Sequence, residues 1–260
     1  MNTMTRTGTT PTPASAWRQV LRPYRAELVA ELRRAWRTPA FAVPSLLFPV
    51  LFYLLFGVLL GRGHAPLYLL ATYCVFGAMA PALFGFGVQL ALDREGGLLT
   101  LKRALPMPAA APLLARLAMA VMFALLVASL LIGVAHVFGG VQLHALQVLQ
   151  LMAVAGLAAL PLGAIGLLIG SHVSASAAPA MVNLVYLPLA LLSGLWLPLS
   201  ALPALFSTMA PLWPTWHLAQ LALPVVGLPS VGSIGGHLLV LLAVTVVALL
   251  LARRRLRRIG

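Results

Sequence analysis

The sequence predicts an all-α polytopic membrane protein: six transmembrane helices, an N-terminal interfacial amphipathic helix, and short re-entrant helices between spans five and six. Three observations predict it. Hydrophobic residues make up 62% of the 260 positions and charged ones only 8%, where a soluble domain carries about a quarter charged. Six apolar runs are each long enough to cross hydrocarbon, which takes roughly 20 residues. The basic residues sit in clusters that flank those runs on one side, as they do where positive charge stays cytoplasmic. The same placement argues against nucleic acid as the partner of the +13 net charge, because a nucleic-acid reader carries its arginines on a solvated polar face.

Residues 1–16 (MNTMTRTGTTPTPASA) have no apolar periodicity and read as a disordered tail. Between 17 and 37, Trp17, Leu21, Tyr24, Leu28, Leu32 and Ala35 recur at steps of three and four, with Arg18, Arg22, Arg25, Arg33 and Arg34 mostly elsewhere round the helix. Such a basic amphipathic helix suits the membrane surface. No signal peptide is read, because the first apolar run begins only near Ala40.

The spans are expected at about 40–60, 67–92, 112–138, 147–171, 178–197 and 236–252 within a domain running 38–260. With both termini cytoplasmic, of 17 basic residues only Arg62 falls outside; an odd number of spans would strand one terminal cluster. Pro44, Pro49, Pro81, Pro161 and Pro188 lie inside spans, where proline kinks a helix and frees carbonyls. Between 197 and 235 there is no charge, six prolines, and apolar pieces (about 201–212 and 215–226) too short to span. Trp196, Trp213 and Trp216 are interface anchors by type. Two short helices dipping into the outer leaflet fit this composition.

Several chemistries lack their groups. Asp93, Glu95, Glu27 and Glu31 are the four carboxylates, all assigned to the cytoplasmic side, which removes carboxylate proton relays and intramembrane aspartyl chemistry. The six histidines (His64, His136, His144, His172, His217, His237) show no metal-ligand spacing, Cys74 stands alone, and no GxSxG occurs. No metal site, cofactor or catalytic residue is therefore assigned to this chain. A P-loop needs a lysine before Ser or Thr, and the single lysine, Lys102, lies between Leu101 and Arg103. If the chain moves something uphill, the energy must arrive from another polypeptide.

One charged island interrupts the apolar interior, LDREGGLLTLKRALPMP at 92–108. Leu98, Leu101 and Leu105 fall at i, i+3 and i+7, Lys102 and Arg103 point away, Asp93 is an N-cap candidate, and Pro106 and Pro108 stop the helix. A short amphipathic helix between spans two and three follows, covering headgroups or meeting a partner. Within the spans, Gln89, Asn183, Tyr186 and Ser193 are the polar residues expected at a helix contact, a dimer interface or a pathway.

DREGGLLTLKRALPMP resembles the R-E-x-G-T-x-x-x-L-x-x-x-P segment of type-2 ABC-transporter permeases, the membrane subunits of many bacterial exporters. Arg94, Glu95, Gly97, Leu101 and Pro106 match, and Leu98 stands where that family commonly has Thr. Residues 33–57 resemble the entry to the first span. Residues 192–220 resemble the S-G-x-x-x-P-x-x-x-x-P segment after the fifth, through Ser193, Gly194, Pro198 and Pro203. The likeness covers about 17–258.

The resemblance implies a permease subunit of the bacterial cytoplasmic (inner) membrane, paired with an identical or similar permease. Each would sit on a cytoplasmic ABC ATPase that holds the ATP and magnesium. Segment 93–106 would be the coupling helix, with Arg94 and Glu95 as polar contacts and Leu98, Leu101 and Leu105 as its packing face. The 198–234 region, opening with Pro198 and Pro203, would be the outer gate, and Gln89, Asn183, Tyr186 and Ser193 would lie near the dimer interface or pathway. An ATPase-independent channel or carrier, and a membrane anchor for cytoplasmic partners, are the alternatives; a channel should show a continuous polar stripe that these spans lack. Substrate identity is not legible.

Overall fold

A computed structural model describes residues 13–104, 107–108 and 110–259. Tail residues 1–12, the expected packing residue Leu105, the expected helix stop Pro106 and the Trp17 side chain lie outside the described residues. Helix α1 runs Pro13–Arg37, so helix begins four residues ahead of the expected start. Thr38, with φ −118° and ψ 63°, breaks the chain, and α2 follows over Pro39–Phe52 with proline in its first turn, where the missing N–H costs nothing. The same rod continues as a π-helix over Tyr53–Leu59. Then come α3 (Ala65–Glu95), α4 (Leu98–Ala104), α5 (Ala111–Phe138), α6 (Ala145–His172) and α7 (Ala178–Leu192). Short α8 (Ala204–Met209) and α9 (Pro214–Ala222) are joined by 3-10 turns, and α10 spans Ile234–Ile259. Among the described residues there are no strands.

Five segments are long and apolar enough to cross a membrane: Ala42–Leu59, α3, α5, α6 and Ile234–Arg258. The sixth expected run is apolar but shorter, because α7 ends at Leu192 rather than near 197. Its 15 residues cover roughly 22 Å at 1.5 Å each. The cause is local. Gly194 takes φ +78°, a left-handed conformation that costs glycine little, and Leu195 N–H turns back to the Ala190 carbonyl. The Leu189 carbonyl is closed off by two hydroxyls, Ser193 Oγ and Thr215 Oγ1.

The bundle is organised around α3, buried along most of its length and packed against α5, α6, α7 and α9. Apolar driving force between helices is weak in lipid, so close backbone approach of small residues carries the packing. It does so between α3 and α6: a Cβ on Gly170 would sit 2.2 Å from the Gly87 carbonyl oxygen, and one on Gly166 2.7 Å from that of Leu83. Exposed leucines and valines on α2, α5 and α10 face outward where acyl chains would solvate them.

Two ends of the bundle differ in chemistry. At one end α3 tyrosines hold the segment after α7: Tyr68 Oη donates to the Gly194 carbonyl at 2.8 Å and Tyr73 Oη to that of Trp196 at 3.2 Å. α8 is exposed, whereas α9 is buried along its length beside α10, α3 and α6. The opposite end gathers the charges.

Candidate functional site

At the charged end α1 lies across the bundle with Glu27, Glu31 and Arg34 on its inner face, while Leu21 and Leu32 stay exposed. The polar stripe, spaced at i, i+4 and i+7, thus ties α1 to its neighbours, while Tyr24, Leu28 and Ala35 are half-buried. Arg116, at the start of α5, has a side chain only 4% exposed and pairs with Asp93 of α3 and, at 3.4 Å, with Glu31 of α1. Arg34 completes the group, lying 3.5 Å from Asp93 and 3.6 Å from Glu31 and donating to Gln89 Oε1 at 3.3 Å. Two cations and two carboxylates make the cluster neutral, the condition under which buried ions are tolerated.

The opening expectation for Asp93 is corrected here. It does not cap the short helix, because α3 continues through Glu95 and places Asp93 in its own last turn, buried against Arg116 and Arg34. The break instead falls at Gly96 and Gly97, where Gly97 adopts φ +71°. Arg94 also turns inward. Its Nη1 donates to the Ser171 carbonyl at 2.7 Å and the Gly170 carbonyl at 3.3 Å, and its Nη2 to the Val173 carbonyl at 2.6 Å, so a guanidinium satisfies the orphan carbonyls at the end of α6.

Helix α4 hangs from that glycine hinge with two distinct sides. Leu99 packs toward the core and Lys102 Nζ reaches Glu27 at 2.6 Å. Glu95 (side chain 47% exposed) and Leu101 (60% exposed) face outward, with Leu98 half-buried between. A cleft of about 350 Å³ lies beneath, lined by Asp93, Leu99, Lys102, Met107, Arg116 and Leu256. Among the described residues, Lys102 and Leu99 are thus the side chains that tie this seven-residue helix to the bundle.

The remaining expected residues separate. Gln89 joins the ion cluster, and Ser193 is buried and bonded to its own helix. Asn183 and Tyr186 line a groove of about 220 Å³ between α7, α2 and α3, walled by Pro44, Phe48, Phe76 and Phe84. Pro198 and Pro203, both extended, start the 3-10 turn at Leu199 and helix α8. Sequence reasoning missed the cluster because Asp93 lies 59 residues from Arg34 and 23 from Arg116, and Arg116 lies 85 from Glu31. The available signal was that Glu31 and Asp93 are two of only four acids in an apolar chain, which obliges them to find cations.

Comparison with known proteins agrees with this plan. "Putative transport permease YvfS" of Bacillus subtilis (strain 168) is 27% identical over 203 residues, covering 74% of this chain and 80% of that protein. Residues 23–226, from within α1 through the turn after α9, match the ABC-2 type transporter family. With more than three quarters of its length inside that match, the chain belongs to the ABC-2 type transporter family.

Proposed function

We propose that the chain is the transmembrane permease subunit of an ATP-driven exporter, pairing with a second permease subunit and driven by a separate cytoplasmic ATPase that seats on α4. Six crossings with both termini on the ATPase side of the bacterial inner membrane complete this reading, α7 being the short fifth. The observation that carries it is Leu101, an apolar side chain 60% exposed beside Glu95 on a helix whose other side is anchored. Force applied there would pass by Lys102–Glu27 to α1, by the glycine hinge to α3, by Arg116 to α5 and by Arg94 to α6. Helices α1, α3, α5 and α6 are thus linked to α4 at the charged end, while the groove at Asn183 and Tyr186 supplies a face for the second subunit or the transported molecule.

The test is recovery of the P-loop ATPase from native membranes with the tagged chain. Leu101→Asp would bury an uncompensated carboxylate against the partner and Glu95→Arg would invert a contact, each costing several kcal/mol. Expected is at least a tenfold loss of ATPase recovery and of transport at unchanged membrane abundance. Wild-type recovery for both variants refutes docking on α4.

A further inference from the structure

At the uncharged end, buried His217 of α9 and His237 of α10 face each other with their Nδ1 atoms 2.8 Å apart. Each ring's other nitrogen meets a backbone carbonyl: His217 Nε2 lies 2.9 Å from the Pro211 oxygen and His237 Nε2 2.8 Å from that of Val231. A carbonyl only accepts, so both Nε2 atoms carry hydrogen. Two neutral rings would then point bare lone pairs at each other across 2.8 Å. Three hydrogens satisfy all three contacts, and two neutral imidazoles supply two.

We infer that His217 and His237 form a proton-binding site that takes up one proton, held between the two Nδ1 atoms, and that this proton ties the α9 segment to the start of α10. His237 carries the extra hydrogen and donates it to His217. Burial, opposed by the bond to the Pro211 carbonyl and reinforced by the second ring, lowers the pKa of His217, in keeping with His217 as the accepting ring. The separation is also too short for a metal ion between the rings, since two Zn–N bonds alone need about 2 Å each.

The surroundings are built for the pair. The Trp216 ring lies 5.0 Å from His217 and 5.5 Å from His237, within reach of a cation–π contact. A Cβ on Gly232 would come within 3.2 Å of the His237 ring, so glycine there lets the imidazole reach Val231. Gln220 Oε1 accepts from Val231 N–H at 2.8 Å, fixing the same residue through its preceding peptide. Both rings sit in the first turns of their helices, where the helix dipole opposes a cation. That makes the proton exchangeable.

Titratable groups on the packed elements leave the pair as the switch. On α3, Tyr68 and Tyr73 are bonded to the 194 and 196 carbonyls; on α6, His144 caps its own helix; α7 offers Tyr186, lining the groove. The carboxylates of α3 and the arginines of α10 lie at the far end. The stabilisation from this bridging proton is complete at low pH, where the pair is protonated. It is lost as pH rises through the folded value. On the topology proposed above, the medium sensed is the outer one; the site itself does not depend on that reading.

The experiment is nitrogen NMR of 15N-histidine-labelled full-length chain in lipid nanodiscs from pH 5 to 9, with His217→Gln and His237→Gln for assignment. Expected at low pH is one doubly protonated and one Nε2-protonated ring joined by N–N scalar coupling, both features vanishing together as pH rises. Hydrogen exchange of the Val231 amide, corrected for its intrinsic pH dependence, should accelerate at least tenfold over the same range in wild type and stay flat in His237→Gln. Two rings that titrate independently, or that stay neutral and uncoupled throughout, would overturn the site. Exchange with the same pH dependence in variant and wild type would overturn the tie.

Discussion

Replacing Arg116 by Met removes the cation shared by α1, α3 and α5. Asp93, with a side chain 5% exposed, and Glu31, 11% exposed, would then share Arg34 alone, which sits 3.5 and 3.6 Å from them. An excess buried carboxylate is the outcome, and breaking a buried pair in this way costs roughly 3 to 5 kcal/mol. At 1.36 kcal/mol per decade that is roughly two to four orders of magnitude in the folding equilibrium. Asp93→Asn alone should cost less, because the amide keeps an acceptor oxygen beside Arg116 and Glu31 still pairs with both arginines. The double variant restores neutrality with Arg34 and Glu31 as the surviving pair, so it should be more stable than the sum of the single effects by at least 1 kcal/mol. The assay is reversible unfolding in mixed micelles followed by tryptophan fluorescence. Additive single and double effects, or an Arg116→Met loss under about 1 kcal/mol, would refute a coupled buried cluster.

Arg94→Ala should lower stability by about 2 kcal/mol through the exposed ends of α6, whereas Glu95→Arg should leave the unfolding midpoint unchanged; equal stability losses would undo the assignment of an inner and an outer role. Gly194→Ala forces a Cβ to within 2.8 Å of Leu199 Cγ at φ +78° and should cost more than 1 kcal/mol, read as a lower thermal midpoint, and a neutral result would remove the reason given for the early end of α7. Single cysteines at His64, His144 and Pro229 in a Cys74→Ala background should react with an impermeant thiol reagent from outside intact cells, and one at Ala110 should not. Outside labelling at Ala110 would overturn the six-crossing orientation.

Hydropathy made most of the bundle legible. α5 and α6 begin within two residues of expectation because hydrocarbon dictates the length of any apolar run that crosses it. It failed where backbone geometry decides instead: α7 stops at Leu192 through a left-handed glycine and two hydroxyls on one carbonyl, none of which alters apolar character. Asp93 was misread for a similar reason. Its sequence neighbours suggest the start of a helix, but Arg116, 23 residues on, holds it in the last turn of the previous one. Leu98 and Leu101 do occupy the less anchored side of α4, since helical periodicity is local. That Gln89 belongs with Arg34 rather than with Asn183 depends on how α1 crosses α3, a long-range fact no local pattern encodes.

The distribution of negative charge carries a consequence for recognition. Four carboxylates face 17 basic residues in this chain, and Glu27, Glu31 and Asp93 are consumed in contacts that close α1 onto the spans. Glu95 alone keeps nearly half its side chain in solvent, at 4.0 Å from an arginine already committed elsewhere. To an approaching molecule the charged end is a positive field with a single negative landmark beside an apolar knob, Leu101. Electrostatic attraction would draw in any acidic surface, anionic headgroups included, but a partner seated on α4 as proposed would need one cation in register with Glu95. Attraction and discrimination are therefore assigned to different residues, and raising the salt concentration should weaken the first far more than the second.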